Sequence, residues 1–158
     1  MHFIEIFGRV FEHAPWVAER VAGLRPFADR RALHRAMGDV VASADRARKL
    51  ALIQGHPELA GKAAIDRSLT AESAAEQGGA GLDRLTAEEY ERFHRLNGAY
   101  RARFGFPFIL AVRGLDKHAI LAAFERRVGA DEAAEFDEAL RQIARITEFR
   151  LGDLVADS

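Results

Sequence analysis

Residues 104–112 read FGFPFILAV, and whether this chain holds a sheet or only helices turns on them. The run is continuously apolar and has no helical or alternating period of its own. Pro107 lies inside it. A proline has no N–H and clashes with the preceding turn, so a helix arriving from upstream breaks there. The run therefore reads as an irregular or extended turn leading into a short buried helix. Alternating strand patterns are nearly absent elsewhere, and the chain reads as all-α.

The flanking stretches agree. TAEEYERFHRLNGAYRARFG opens with Thr86 and Glu89 in a capping box and repeats Tyr90, Phe93, Leu96 or Asn97, and Tyr100 at helical spacing. DKHAILAAFERRVG starts at a capping Asp116 and is expected to bury Ile120, Leu121, Phe124 and Val128. From Asp131 to about Val155 the pattern predicts one long helix. Upstream, PWVAERVAGL begins at Pro15 and runs into Gly23. ADRRALHRAMGDVVAS puts Leu33, Met37 and Val40 or Val41 on one face, and DRARKLALIQG ends at Gly55. The expectation is one domain over residues 1–158, a bundle of about seven to nine helices.

Composition narrows the function. The chain is 49% hydrophobic and 30% charged with a net charge of −1. That is ordinary for a folded domain and argues against disorder. There is no basic excess to condense on nucleic acid or an anionic membrane, so neither is expected as a partner. With no cysteine, disulfides, thiolate metal sites and cysteine nucleophiles are excluded. No segment is long and apolar enough to span a membrane, and charges at Glu5, Arg9 and Glu12 argue against a signal peptide. The expected location is the cytoplasm.

Three places can carry chemistry. Phe136, Leu140, Ile143, Thr147 and Leu154 trace one stripe of the last helix, and Arg150 falls on it. A guanidinium on an apolar stripe snorkels, pairs internally or meets an anionic ligand. In LTAESAAEQGGAGL a helix would put Ser73, Glu76 and Gln77 on one face. That face is either merely solvated or able to hydrogen-bond a small polar molecule. His56 lies between Gly55 and Pro57, off any helical ladder. Pro57 pushes it toward an extended conformation and could itself open a helix over PELAGKAA. The remaining histidines form no H-x-x-x-H or H-E-x-x-H pair, so no metal site is expected.

Taken together, HAPWVAERVA, HPELAGK, LTAESAAEQGGAGL, LNGAYRARFGFPFILAVRG and IARITEFRLGDL occur in an order that resembles one family. It is the 2-oxo-4-hydroxy-4-carboxy-5-ureidoimidazoline (OHCU) decarboxylases. The resemblance runs from about Phe3 to Leu154 and implies an all-α, cofactor-free and commonly homodimeric enzyme with a small-molecule substrate. It implies formation of (S)-allantoin in urate catabolism. It assigns the catalytic histidine to His56, with Glu76 beside it in the chemistry. It assigns ligand contacts to Pro57, to Ser73, Ala74, Ala75, Glu76 and Gln77, to Phe108, Ile109, Leu110, Ala111 and Val112, and to Arg150 as the anion binder. Under this reading these distant elements converge on His56. The alternatives are a decarboxylase of a related ureido or imidazolone acid, or a non-catalytic all-α interaction module.

Overall fold

The computed structural model describes residues 2–61 and 68–155. Among them the chain forms eight helices and no strand. These are α1 (His2–Phe7), α2 (Trp16–Ala22), α3 (Arg30–Ala42), α4 (Arg46–Gln54), α5 (Ala71–Gly79), α6 (Ala87–Phe104), α7 (Lys117–Val128) and α8 (Glu132–Leu154). No helix is long and apolar enough to cross a membrane. Contacts group the chain into two units, residues 1–56 with 143–158, and residues 57–142.

In the first unit α2 packs on α1 and α3. Asp29 and Asp45 cap α3 and α4, each accepting a bond from the backbone N–H three residues on. The inward stripe of α3 is Leu33, Met37 and Val41, and that of α4 is Leu52 and Ile53. Ile143, Ile146 and Leu151 of α8 are buried, as are Val10, Val17 and Val21. Trp16 is half-buried at the start of α2. The Arg48 guanidinium lies 4.7 Å from its ring centroid and that of Arg20 5.8 Å.

In the second unit α6 begins with the predicted capping box and packs on α7. Its core is aromatic. Phe108 stacks on Phe124 at 4.0 Å between centroids, and the Tyr100 ring meets both edge-on, at 5.4 and 6.1 Å. α6 ends at Gly105 with φ +79°, a left-handed cap that a residue with a Cβ would occupy under strain.

Two details correct the sequence expectation. On α7 Val128 is only half-buried, and Arg127 takes the inward position. On α8 the buried stripe runs Phe136, Ala139, Ile143, Ile146, Thr147, Arg150 and Leu151, while Leu154 is 51% exposed. In both helices one inward position is held by a charged residue with a buried carboxylate partner, which hydropathy alone does not anticipate.

Candidate functional site

His56 sits just past the end of α4. Gly55 closes the helix by donating to Ala51 O at 2.9 Å, and the His56 N–H donates to Ile53 O at 3.1 Å. The ring Nδ1 lies 3.0 Å from Leu52 O. A carbonyl only accepts, so Nδ1 carries the proton, and in the neutral ring Nε2 is the bare acceptor. Nε2 is buried with no hydrogen-bond partner among the described residues. Burial pushes the ring's pKa from 6.5 down to about 4. The bond to Leu52 and the Glu12 carboxylate oppose that shift, while the Arg150 guanidinium and His13 reinforce it. At neutral pH His56 is therefore an uncharged base with a fixed tautomer.

Arg150 reaches the N-terminal turn of the same unit. Its NH1 donates to Glu12 Oε1 at 2.9 Å and to Val10 O at 3.3 Å. Both side chains are buried, with 4% and 2% of their surface exposed. The turn is built for close approach: a Cβ on Gly8 would lie 2.5 Å from Ile4 O, so only glycine fits there. Val10 N–H donates to Phe7 O and Ala14 N–H to Phe11 O. His13 takes φ +53°, an uncommon conformation for a side-chain-bearing residue. The turn also touches the His56 junction, since a Cβ on Gly55 would lie 3.5 Å from Glu12 O. Of the open alternatives for Arg150, internal pairing is present. The partner escaped sequence reasoning because Glu12 lies 138 residues away, with no local pattern to mark it.

In the second unit Thr70 caps α5, its hydroxyl accepting from Ser73 N–H at 3.2 Å. The predicted polar face forms: Ser73 and Gln77 are buried and Glu76 is half-buried, while Ala74 and Ala75 are exposed. The Gln77 amide is committed to the loop after Pro57. Its Oε1 accepts from Ala60 N–H at 2.9 Å and its Nε2 donates to Glu58 O at 3.2 Å. Asn97 Nδ2 donates to Leu59 O at 2.9 Å between them. The expected helix starting at Pro57 does not form over residues 57–61. Ala60 at φ +53° breaks the helical path, and side-chain amides take the backbone groups a helix would use. The rest of PELAGKAA, residues 62–64, lies outside the described residues. A half-open groove of about 740 Å³ runs beside α5, lined by Ala74, Gln77, Leu82 and Tyr90 among others.

Phe108, Ile109, Ala111 and Val112 are buried and Leu110 is half-buried. The short helix expected after Pro107 is absent, and residues 107–112 take no regular secondary structure. The reason lies in partners far along the chain. Ile109 O accepts from Arg127 NH1 at 2.6 Å, and Ala111 N–H donates to Gln142 Oε1 at 3.0 Å. Among the described residues no three His, Asp or Glu side chains stand together as a metal-binding group. Thus His56 and Arg150 gather with Glu12 in one unit, while Pro57, Ser73–Gln77 and Phe108–Val112 belong to the other.

Comparison with known proteins bears on this arrangement. The sequence profile of the OHCU decarboxylase family matches residues 1–152. A 2-oxo-4-hydroxy-4-carboxy-5-ureidoimidazoline decarboxylase of Haloferax volcanii is 44% identical over 96% of this chain and 88% of its own. The uric acid degradation bifunctional protein PucL of Bacillus subtilis is also 44% identical, and the match spans 97% of this chain but 30% of that one. A crystal structure of (S)-allantoin synthase superposes with a TM-score of 0.77 at 34% identity. That match covers 96% of this chain and about half of the other, 49%. With a family profile matched across almost its whole length, the chain belongs to the OHCU decarboxylases.

Proposed function

We propose that this chain is a carboxy-lyase that converts OHCU to (S)-allantoin in urate degradation, and that residues 1–158 act as one functional domain. Family membership supports the reaction. The observation that carries the mechanism is His56, a buried neutral imidazole whose Nε2 has no partner among the described residues.

The chemistry needs such a group. Loss of carbon dioxide breaks the bond between the carboxylate carbon and ring C4. The electron pair moves into the ring toward C5 and its imine nitrogen, which takes a proton from solvent. The ring is its own electron sink, so no organic cofactor is required. The 4-hydroxyl must then lose a proton to become a carbonyl, and C5 must gain one on a single face. Held at a pKa of about 4, His56 cannot start as an acid at neutral pH. It starts as a base, takes the hydroxyl proton on Nε2 and returns it to C5. The Leu52 carbonyl holds Nδ1–H throughout and so fixes the ring's orientation.

Arg150 binds an oxygen of the substrate. Its charge is already balanced by Glu12. A guanidinium so balanced grips a carboxylate loosely, and that favours catalysis, because tight binding of the leaving carboxylate would stabilise the ground state. Glu76, Ser73 and backbone groups of Phe108–Val112 meet the ureido and ring edges, with Pro57 beside His56. Gln77 serves by holding the Glu58–Ala60 loop. We further take the protein to be a cytoplasmic homodimer, as the family resemblance and the absence of cysteine suggest.

The test is stereochemical. Substrate generated in situ is mixed with the protein, and allantoin is followed by circular dichroism. Rapid appearance of one enantiomer supports the reading; a slow racemic background overturns it. Light scattering on the purified protein tests the dimer.

A further inference from the structure

We propose that Arg127 and Gln142 are positioning residues that clamp the Phe108–Val112 backbone in its substrate-binding shape. The inference rests on the function proposed above. The segment takes no regular secondary structure and is buried except at Leu110, yet no strand lies among the described residues to pair with it. The N–H groups of Phe108, Ile109 and Leu110 have no hydrogen-bond partner among the described residues. Unpaired N–H groups on buried backbone are rare, and here they are the donors a bound molecule would meet. Something other than a backbone ladder must hold them in place.

Two side chains do so from opposite sides of Leu110. Arg127 NH1 grips Ile109 O, and Gln142 Oε1 grips Ala111 N–H. Each is itself fixed. Arg127 Nε meets both Glu135 oxygens at 2.9 and 3.2 Å, and Glu135 also accepts from Tyr100 OH. Gln142 Nε2 donates to Glu138 at 2.7 Å. The Arg127 guanidinium lies 4.5 Å from the Phe108 ring centroid, so it fixes the side chain as well as the backbone.

Stability alone does not explain Arg127. A buried Arg–Glu pair is seldom better than well-packed apolar residues, and here NH2 has no partner among the described residues. A planar fork that reaches a carbonyl and a carboxylate together is what the clamp requires.

The experiment compares Gln142→Leu and the charge-neutral double variant Arg127→Met/Glu135→Gln with the unaltered chain. Amide exchange at Ala111 and steady-state kinetics on in situ generated OHCU are measured. Ala111 exchange should rise at least tenfold in Gln142→Leu while α6 stays protected. KM should rise about tenfold in both variants with kcat changed far less. If the double variant does not fold, Gln142→Leu decides alone. Unchanged Ala111 exchange would overturn the clamp. Faster exchange with an unchanged KM would show that the clamp does not serve the substrate, and would overturn the positioning role. If the unaltered chain forms no allantoin, the function reading fails, and exchange still judges the clamp.

Discussion

Replacing Glu12 by glutamine removes a charge and keeps the shape. In the native site opposite charges stand 2.9 Å apart, both side chains nearly free of solvent contact. At an effective dielectric constant of roughly 20 their attraction is about 6 kcal/mol, most of it offset by the cost of taking both ions out of water. Removing one partner leaves the other charged and buried, which costs about 3–5 kcal/mol. The glutamine oxygen still accepts one hydrogen bond from Arg150, which recovers about 1 kcal/mol. The expected loss is thus roughly 3 kcal/mol, or a fall in Tm of about 6–12 °C for a chain of this size. Far-ultraviolet circular dichroism on heating measures it. Kinetics supply a second reading. An unbalanced Arg150 should hold the substrate carboxylate more tightly, so KM and kcat fall together. A Glu12→Gln protein with the native Tm and native kinetic constants would refute the idea that Glu12 balances Arg150.

Replacing His56 by asparagine should nearly abolish allantoin formation while the far-ultraviolet spectrum stays native; full activity would remove the proposed proton transfer. Arg150→Ala should weaken substrate affinity and lower Tm together, because the buried Glu12 carboxylate then loses the guanidinium 2.9 Å away. Unchanged affinity would make Arg150 purely structural. Stability should depend on pH through His56, whose pKa is about 4 folded against 6.5 in the free side chain. Between those values the unfolded chain binds a proton that the folded chain does not, so stability is full above about 6.5 and falls as pH drops toward 4. The loss amounts to about 3 kcal/mol, read by urea unfolding across that range, and it should vanish in His56→Asn. Gly105→Ala should cost about 1–2 kcal/mol, since φ is +79° there, and a neutral result would show the cap can relax.

Most of the helical frame could be read from local signals. The Thr86–Glu89 box, Asp116, Gly23 and Gly55 mark ends that depend only on neighbouring backbone, and they stand where expected. Arg150 was visible as a charge on an apolar stripe, and His56 as a residue set off by Gly55 and Pro57. What could not be read depends on partners remote in the chain. The run around Pro107 reads as a turn leading into a short buried helix, but Arg127 takes the Ile109 carbonyl and Gln142 the Ala111 N–H, and no helix forms. Gln77 looks like part of a ligand face, yet its amide serves Glu58 and Ala60. Glu12 looks like a surface acid until Arg150 arrives from the far end of the sequence.

Trp16, with Arg48 over its ring, is the only tryptophan in the chain and belongs to the first unit. Both tyrosines, Tyr90 and Tyr100, belong to the second. Each unit therefore carries its own chromophore. Indole emission reports on the half that contains His56 and Arg150, and tyrosine absorbance on the half that contains Ser73 and Phe108. A single cooperative melt makes the two traces coincide, and stepwise melting separates them, with no label added.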